Sequence, residues 1–103
     1  MAFCIIYVTH KDQEAAEAIC NMLIKEKRIA CANILPIKAI YWWHGNVENE
    51  DEIVSILKTS IKNWDSVRER IEEIHPYEVP CIMKINVEAN EQYERWIHES
   101  ISD

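Results

Sequence analysis

Ala30–Trp43 reads ACANILPIKAIYWW, and this stretch decides the fold. It is dense in β-formers and long for a single strand. His44, Gly45 and Asn46 follow, with the composition of a turn. A second β-rich run extends from about Val47 to Ser60, with Ile53, Val54, Ile56 and Leu57 at its centre. The two runs form a long hairpin. Fully extended, Ala30–Trp43 would span about 45 Å, whereas a domain of this size is roughly 35 Å across. The strand must therefore bend, overshoot the domain, or do both. Pro36 has no N–H and marks an edge position or a bulge. The hairpin is apolar on both faces: Ile34 and Ile40 share one parity, and Leu35, Ile37, Tyr41 and Trp43 share the other. Helices on one side of a sheet leave the other side wet. A long apolar edge hairpin of this kind needs another chain to cover it, so a closed oligomer is expected.

Outward from the hairpin, the remaining elements are short and regular. Phe3–Val8 is apolar and β-branched, a buried strand. Thr9 and Asp12 both have the chemistry of a helix N-cap. From there to Lys27, Ala15, Ala16, Ile19, Met22 and Leu23 repeat at helical spacing. Glu14 and Glu17 lie early, and Lys25, Lys27 and Arg28 lie late, which suits the helix dipole. Trp64, Val67, Ile71 and Ile74 mark a second helix, which His75-Pro76 stops because the residue before proline avoids the α region. Val79–Val87 reads as a fourth strand, with Ile82 and Ile85 on opposite faces. Asn90 can cap a last helix carrying Tyr93, Trp96, Ile97 and Ile101. The order is β-α-β-β-α-β plus a terminal helix. That is an α+β, ferredoxin-like pattern with an antiparallel sheet, in a single domain over residues 1–103.

Composition narrows the function. With 103 residues, 49% hydrophobic and 28% charged, the chain has the make-up of a folded protein. A net charge of −7 repels phosphate backbones and argues against nucleic-acid binding. The single glycine, Gly45, rules out phosphate-cradling loops in their standard form. No apolar run approaches the roughly 20 residues of a membrane span. The apolar start lacks the basic residues and cleavage site of a signal peptide, so a cytoplasmic location is expected. The four cysteines, Cys4, Cys20, Cys31 and Cys81, include no Cys-x-x-Cys pair and are expected to be reduced.

The segment His75-Pro76-Tyr77-Glu78-Val79-Pro80-Cys81 concentrates chemistry at a helix end. Imidazole, carboxylate and thiolate are all ligands for copper or zinc, and two prolines stiffen the loop. His75, Glu78 and Cys81 are therefore candidate metal ligands. Three mixed donors fall short of a closed four-ligand structural site, so weak binding is expected and no obligatory cofactor. The alternative reading is that His75 caps the helix, Tyr77 packs and Glu78 is solvated. His10 and Asp12 read as a loop histidine and a cap, His44 as a solvated tip and His98 as surface. Of the adjacent Trp42 and Trp43, which point to opposite faces, one reads as core and the other as interface. Glu48-Asn49-Glu50-Asp51-Glu52 reads as a solvated strand entrance. Lys58, in an apolar strand, needs a partner, and Glu78 is the candidate.

Ala30–Pro36, Ile40–Gly45, Lys58-Thr59, His75–Pro80, Tyr93 and Trp96-Ile97, taken in order and spacing, resemble the CutA divalent-cation tolerance proteins across essentially the whole chain. The resemblance implies a ferredoxin-like protomer and a cytoplasmic homotrimer whose hairpins wrap around their neighbours. It also implies a role in tolerance of copper and other divalent metals, without catalysis. The trimer is similar to that of PII signalling proteins, which bind effectors between subunits. On that alternative, Tyr41, Trp43, Lys58 and Glu78 are candidate effector-cleft residues. Two departures stand out. Cys81 occupies a position where members of the family usually carry Glu. Ile74 and Val8 stand where some bacterial members carry the His and Cys proposed as copper ligands, so only His75 of that set is present.

Overall fold

A computed structural model describes residues 1–101. Four strands, β1 (Phe3–His10), β2 (Cys31–Trp43), β3 (Asn46–Thr59) and β4 (Ile82–Val87), alternate with helices α1 (Gln13–Lys25), α2 (Trp64–Ile74) and α3 (Glu91–Glu99). The sheet is antiparallel in the order β2-β3-β1-β4. This is the α+β arrangement that the pattern predicts.

The register sorts the side chains onto two faces. Ile6 opposes Leu57, Val8 opposes Ser55 and Cys4 opposes Thr59. With Ile19, Leu23, Val67 and Ile71 of α1 and α2, the apolar members form the buried core. Asp12 starts α1: its Oδ1 accepts the Ala15 N–H at 2.8 Å. Thr9, the other candidate cap, lies inside β1. Lys27 takes a left-handed φ of 57° and turns the chain out of α1.

The opposite face carries Phe3, Ile5 and Tyr7 of β1, Lys58, Ile56 and Val54 of β3, and Met83 and Ile85 of β4. Ile82 and Ile85 do face opposite ways. Helix α3 covers one end of this second face, where the Tyr93 ring meets Phe3 edge-on at 6.1 Å. Beyond α3 the face is open: Ile85 is 51% exposed and Met83 48%.

The hairpin turns through His44 (φ 48°) and Gly45 (φ 79°), both left-handed, as a two-residue turn that matches strand twist requires. It overshoots the domain, which is 45 Å long but only 24 by 21 Å in section. Two expectations are corrected here. Residues 79–81 are loop rather than strand, because Pro76 and Pro80 withdraw donors from any ladder. Neither Trp42 (74% exposed) nor Trp43 (38%) enters the core, since both sit on the overhang.

Candidate functional site

The loop after α2 folds across the end of the second face and meets the hairpin there. Together they enclose an open cleft of about 770 Å³. Tyr41 and Trp43 come from β2, Glu50 and Glu52 from β3, and Glu78 and Cys81 from the loop.

His75 sits beneath this loop and anchors it. Its Nδ1 accepts the Tyr77 N–H at 3.1 Å. The proton therefore resides on Nε2, which donates to the Thr9 carbonyl at 2.8 Å. Both ring nitrogens are engaged, so ligation by His75 requires breaking one of these bonds. The ring also stacks on His10, with centroids 5.4 Å apart. His10 is not a loop histidine. It ends β1, is fully buried, and pairs its Nε2 with the Ser55 hydroxyl at 2.7 Å. Burial, and then the neighbouring His75, push its pKa down to about 4, which holds the ring neutral at physiological pH.

Tyr77 locks the loop to the sheet by donating its hydroxyl to Glu52 Oε2 at 2.8 Å. Burial, and then that carboxylate, raise the Tyr77 pKa well above the usual phenol range. The acidic run is thus not wholly solvated: Glu52 is only 8% exposed. Burial, reinforced by Glu52, also raises the Cys81 thiol, so Cys81 is protonated at neutral pH and must lose that proton to bind a metal.

Of the predicted site residues, the cleft brings together Tyr41, Trp43, Glu78 and Cys81. Among the described residues, no three His, Cys, Asp or Glu side chains converge as a ready metal site within the protomer. Lys58 lies elsewhere, six residues along β3 from Glu52, or about 20 Å. Its partner is Tyr93 rather than Glu78: Nζ donates to the phenol oxygen at 2.9 Å and lies 5.2 Å from the ring centroid. The contacts around the site that the sequence reading missed are those of His10, Glu52 and Tyr77, which hold the loop through His75 and β3. An alternation count along β1 and β3 signals the inward side of His10, but the Tyr77–Glu52 bond joins residues 25 apart and has no local signal.

The geometry agrees with what the chain is related to. The family model of the CutA1 divalent ion tolerance protein matches residues 4–100. The divalent-cation tolerance protein CutA of Pyrococcus horikoshii is 46% identical over 96 residues, covering 92% of this chain and 94% of that one. The crystal structure of CutA1 from Oryza sativa superposes with a TM-score of 0.95 at 31% identity, covering 100% of this chain and 96% of that one. The structure of the periplasmic divalent cation tolerance protein CutA from Archaeoglobus fulgidus gives 0.93 at 36% identity, covering 99% and 100%. A match over nearly every residue, in sequence and in backbone alike, means that this chain belongs to the CutA1 divalent ion tolerance protein family.

Proposed function

We propose that the protein acts in tolerance of, or response to, divalent metal ions as a non-catalytic homotrimer, meeting copper or zinc weakly at the cleft through Glu78 and Cys81. Family membership supports the metal role. The observation that carries the assembly is the open second face, where Leu35, Met83 and Ile85 are 39%, 48% and 51% exposed beside an overhanging hairpin. Apolar surface of this kind is covered by another copy or it aggregates. His75 then serves to hold the loop, and enters the metal shell only by giving up one of its two bonds. The four free thiols support a reducing compartment, the cytoplasm. Among the described residues, no helix is long and apolar enough to cross a membrane.

Light scattering of the native protein, together with calorimetric titration of copper and zinc, tests this reading. A trimer mass is expected, with binding that weakens as pH falls, because the Cys81 thiol must lose its proton to ligate. The Glu78→Gln, Cys81→Ser double variant should bind more weakly. Equal affinity in both proteins removes the cleft from the metal role, and a 12.2 kDa species in solution removes the trimer.

A further inference from the structure

Lys58 is out of place on the open second face. β1 and β4 put no charged side chain there: Phe3, Ile5 and Tyr7 stand opposite Val87, Ile85 and Met83. Lys58 of β3 lies among them, with Ile5 opposite on one side and Cys31 on the other. The side chain is half-buried, and its ammonium donates to a neutral partner, the Tyr93 phenol, at 2.9 Å. Among the described residues no carboxylate forms an ion pair with it. In a lone protomer, water supplies the rest of its solvation. A second copy seated on this face, as in the proposed trimer, removes that water. An ammonium buried without a counter-charge is strongly unfavourable, so the copy that covers Lys58 must bring an anion.

The position of the chain's carboxylates narrows the source. Those of α1 and α2 lie in the helix layer behind the other face, where Arg28, Arg68 and Arg70 hold Glu26, Glu72 and Glu73. Glu52 is engaged by Tyr77. Glu48 and Glu50 differ from these. The register puts both on the second-face side of the overhanging hairpin, alongside Tyr41 and Trp43. Neither can reach Lys58 of its own chain, because at least eight residues of β3, about 27 Å, intervene. The hairpin projects beyond its own domain, so what it meets there belongs to another copy. We infer that Lys58 of one copy is paired by Glu48 and Glu50 of the partner subunit, a contact between subunits that fixes the register of the assembly. This rests on the proposed trimer and adds which charges orient it.

The test is light scattering over a dilution series, with far-ultraviolet circular dichroism to check folding. Lys58→Glu should raise the concentration at which the assembly dissociates by about tenfold or more, and so should Glu48→Lys combined with Glu50→Lys. All three substitutions together should restore the native behaviour. A neutral cycle covers the case in which charge reversal at position 58 disturbs the fold. Glu48→Gln with Glu50→Gln should weaken assembly about tenfold in the native background and leave it unchanged in Lys58→Met. Equal weakening in the two backgrounds, or none in either, overturns the inference while the native protein remains a trimer. A folded triple variant that stays dissociated also overturns it. A native species of 12.2 kDa at every concentration overturns the trimer and this contact together.

Discussion

The two faces of the sheet have the same apolar character and opposite fates. On one face Ile6, Val8 and Leu57 are fully buried beneath α1 and α2. On the other, Ile5 and Tyr7 are half-buried, and Met83 and Ile85 are largely exposed once α3 ends. The first face is finished by the chain itself, so its residues set protomer stability. The second is left open by the protomer, so on the proposed reading its residues set assembly. Both the proposed trimer and the cleft lie on the unfinished side.

Paired substitutions can break this contrast. Leu57→Ala should lower stability by about 2–5 kcal/mol in urea melts at every protein concentration. Ile85→Lys should leave far-ultraviolet circular dichroism intact but lower the mass in light scattering on dilution. If both variants shift stability equally and neither changes mass, the two faces are not distinct in kind.

The histidine pair sharpens the contrast through pH. His10 is neutral in the fold, with a pKa lowered from 6.5 to about 4. The unfolded chain therefore binds the proton first. The contribution of His10 to stability is fully present above pH 6.5 and is lost as pH falls through that window toward 4, by about 3 kcal/mol in all. Urea midpoints measured from neutral pH downward should fall in native protein and fall less in His10→Gln. A parallel decline in the two would assign the acid sensitivity to other groups.

Tyr77→Phe removes the hydroxyl that, among the described residues, donates to Glu52, and takes one hydrogen bond from a largely buried carboxylate. A loss of about 1.5–3 kcal/mol is expected from thermal or urea unfolding. It should be accompanied by faster hydrogen exchange in residues 75–81 if the hydroxyl pins the loop. The smallest effect compares the helices on the two faces. Asp12 caps α1 through its side chain, so Asp12→Ala should lose about 1 kcal/mol. Asn90 makes no side-chain cap bond to α3, and Asn90→Ala should stay within about 0.5 kcal/mol.

The features legible in the sequence were those governed by local periodicity. The alternation of Ile34 and Ile40 against Leu35 and Ile37 is read at period two and is reproduced by the register with β3. Asp12 announced its own helix, and His75-Pro76 ended another. What escaped were contacts set by where distant elements cross. Lys58 meets Tyr93 because α3 lies over the second face; no spacing rule places a terminal helix there. Glu52 is buried because a loop 25 residues later reaches back to it. Val79 looked like a strand because β-branched residues favour strands, but the prolines on either side prevailed.

The position of β1 has a consequence in time. It lies inside the sheet, with β3 on one side and β4 on the other, and β4 pairs Ile82 with Val8 across 74 residues. At synthesis rates of about 5–20 residues per second, β1 waits roughly 4–15 s for that neighbour to be made. During the wait α1, which follows directly, can shield only one face of the strand. The hairpin completes earlier and supplies β3, but the far edge of β1 stays unpaired until β4 emerges. A chain halted before Ile82 would therefore carry an open edge where the finished molecule has an interior strand, and a nascent-chain pulse should find the β1 groups that pair with β4 protected only after residues 82–87 have been made.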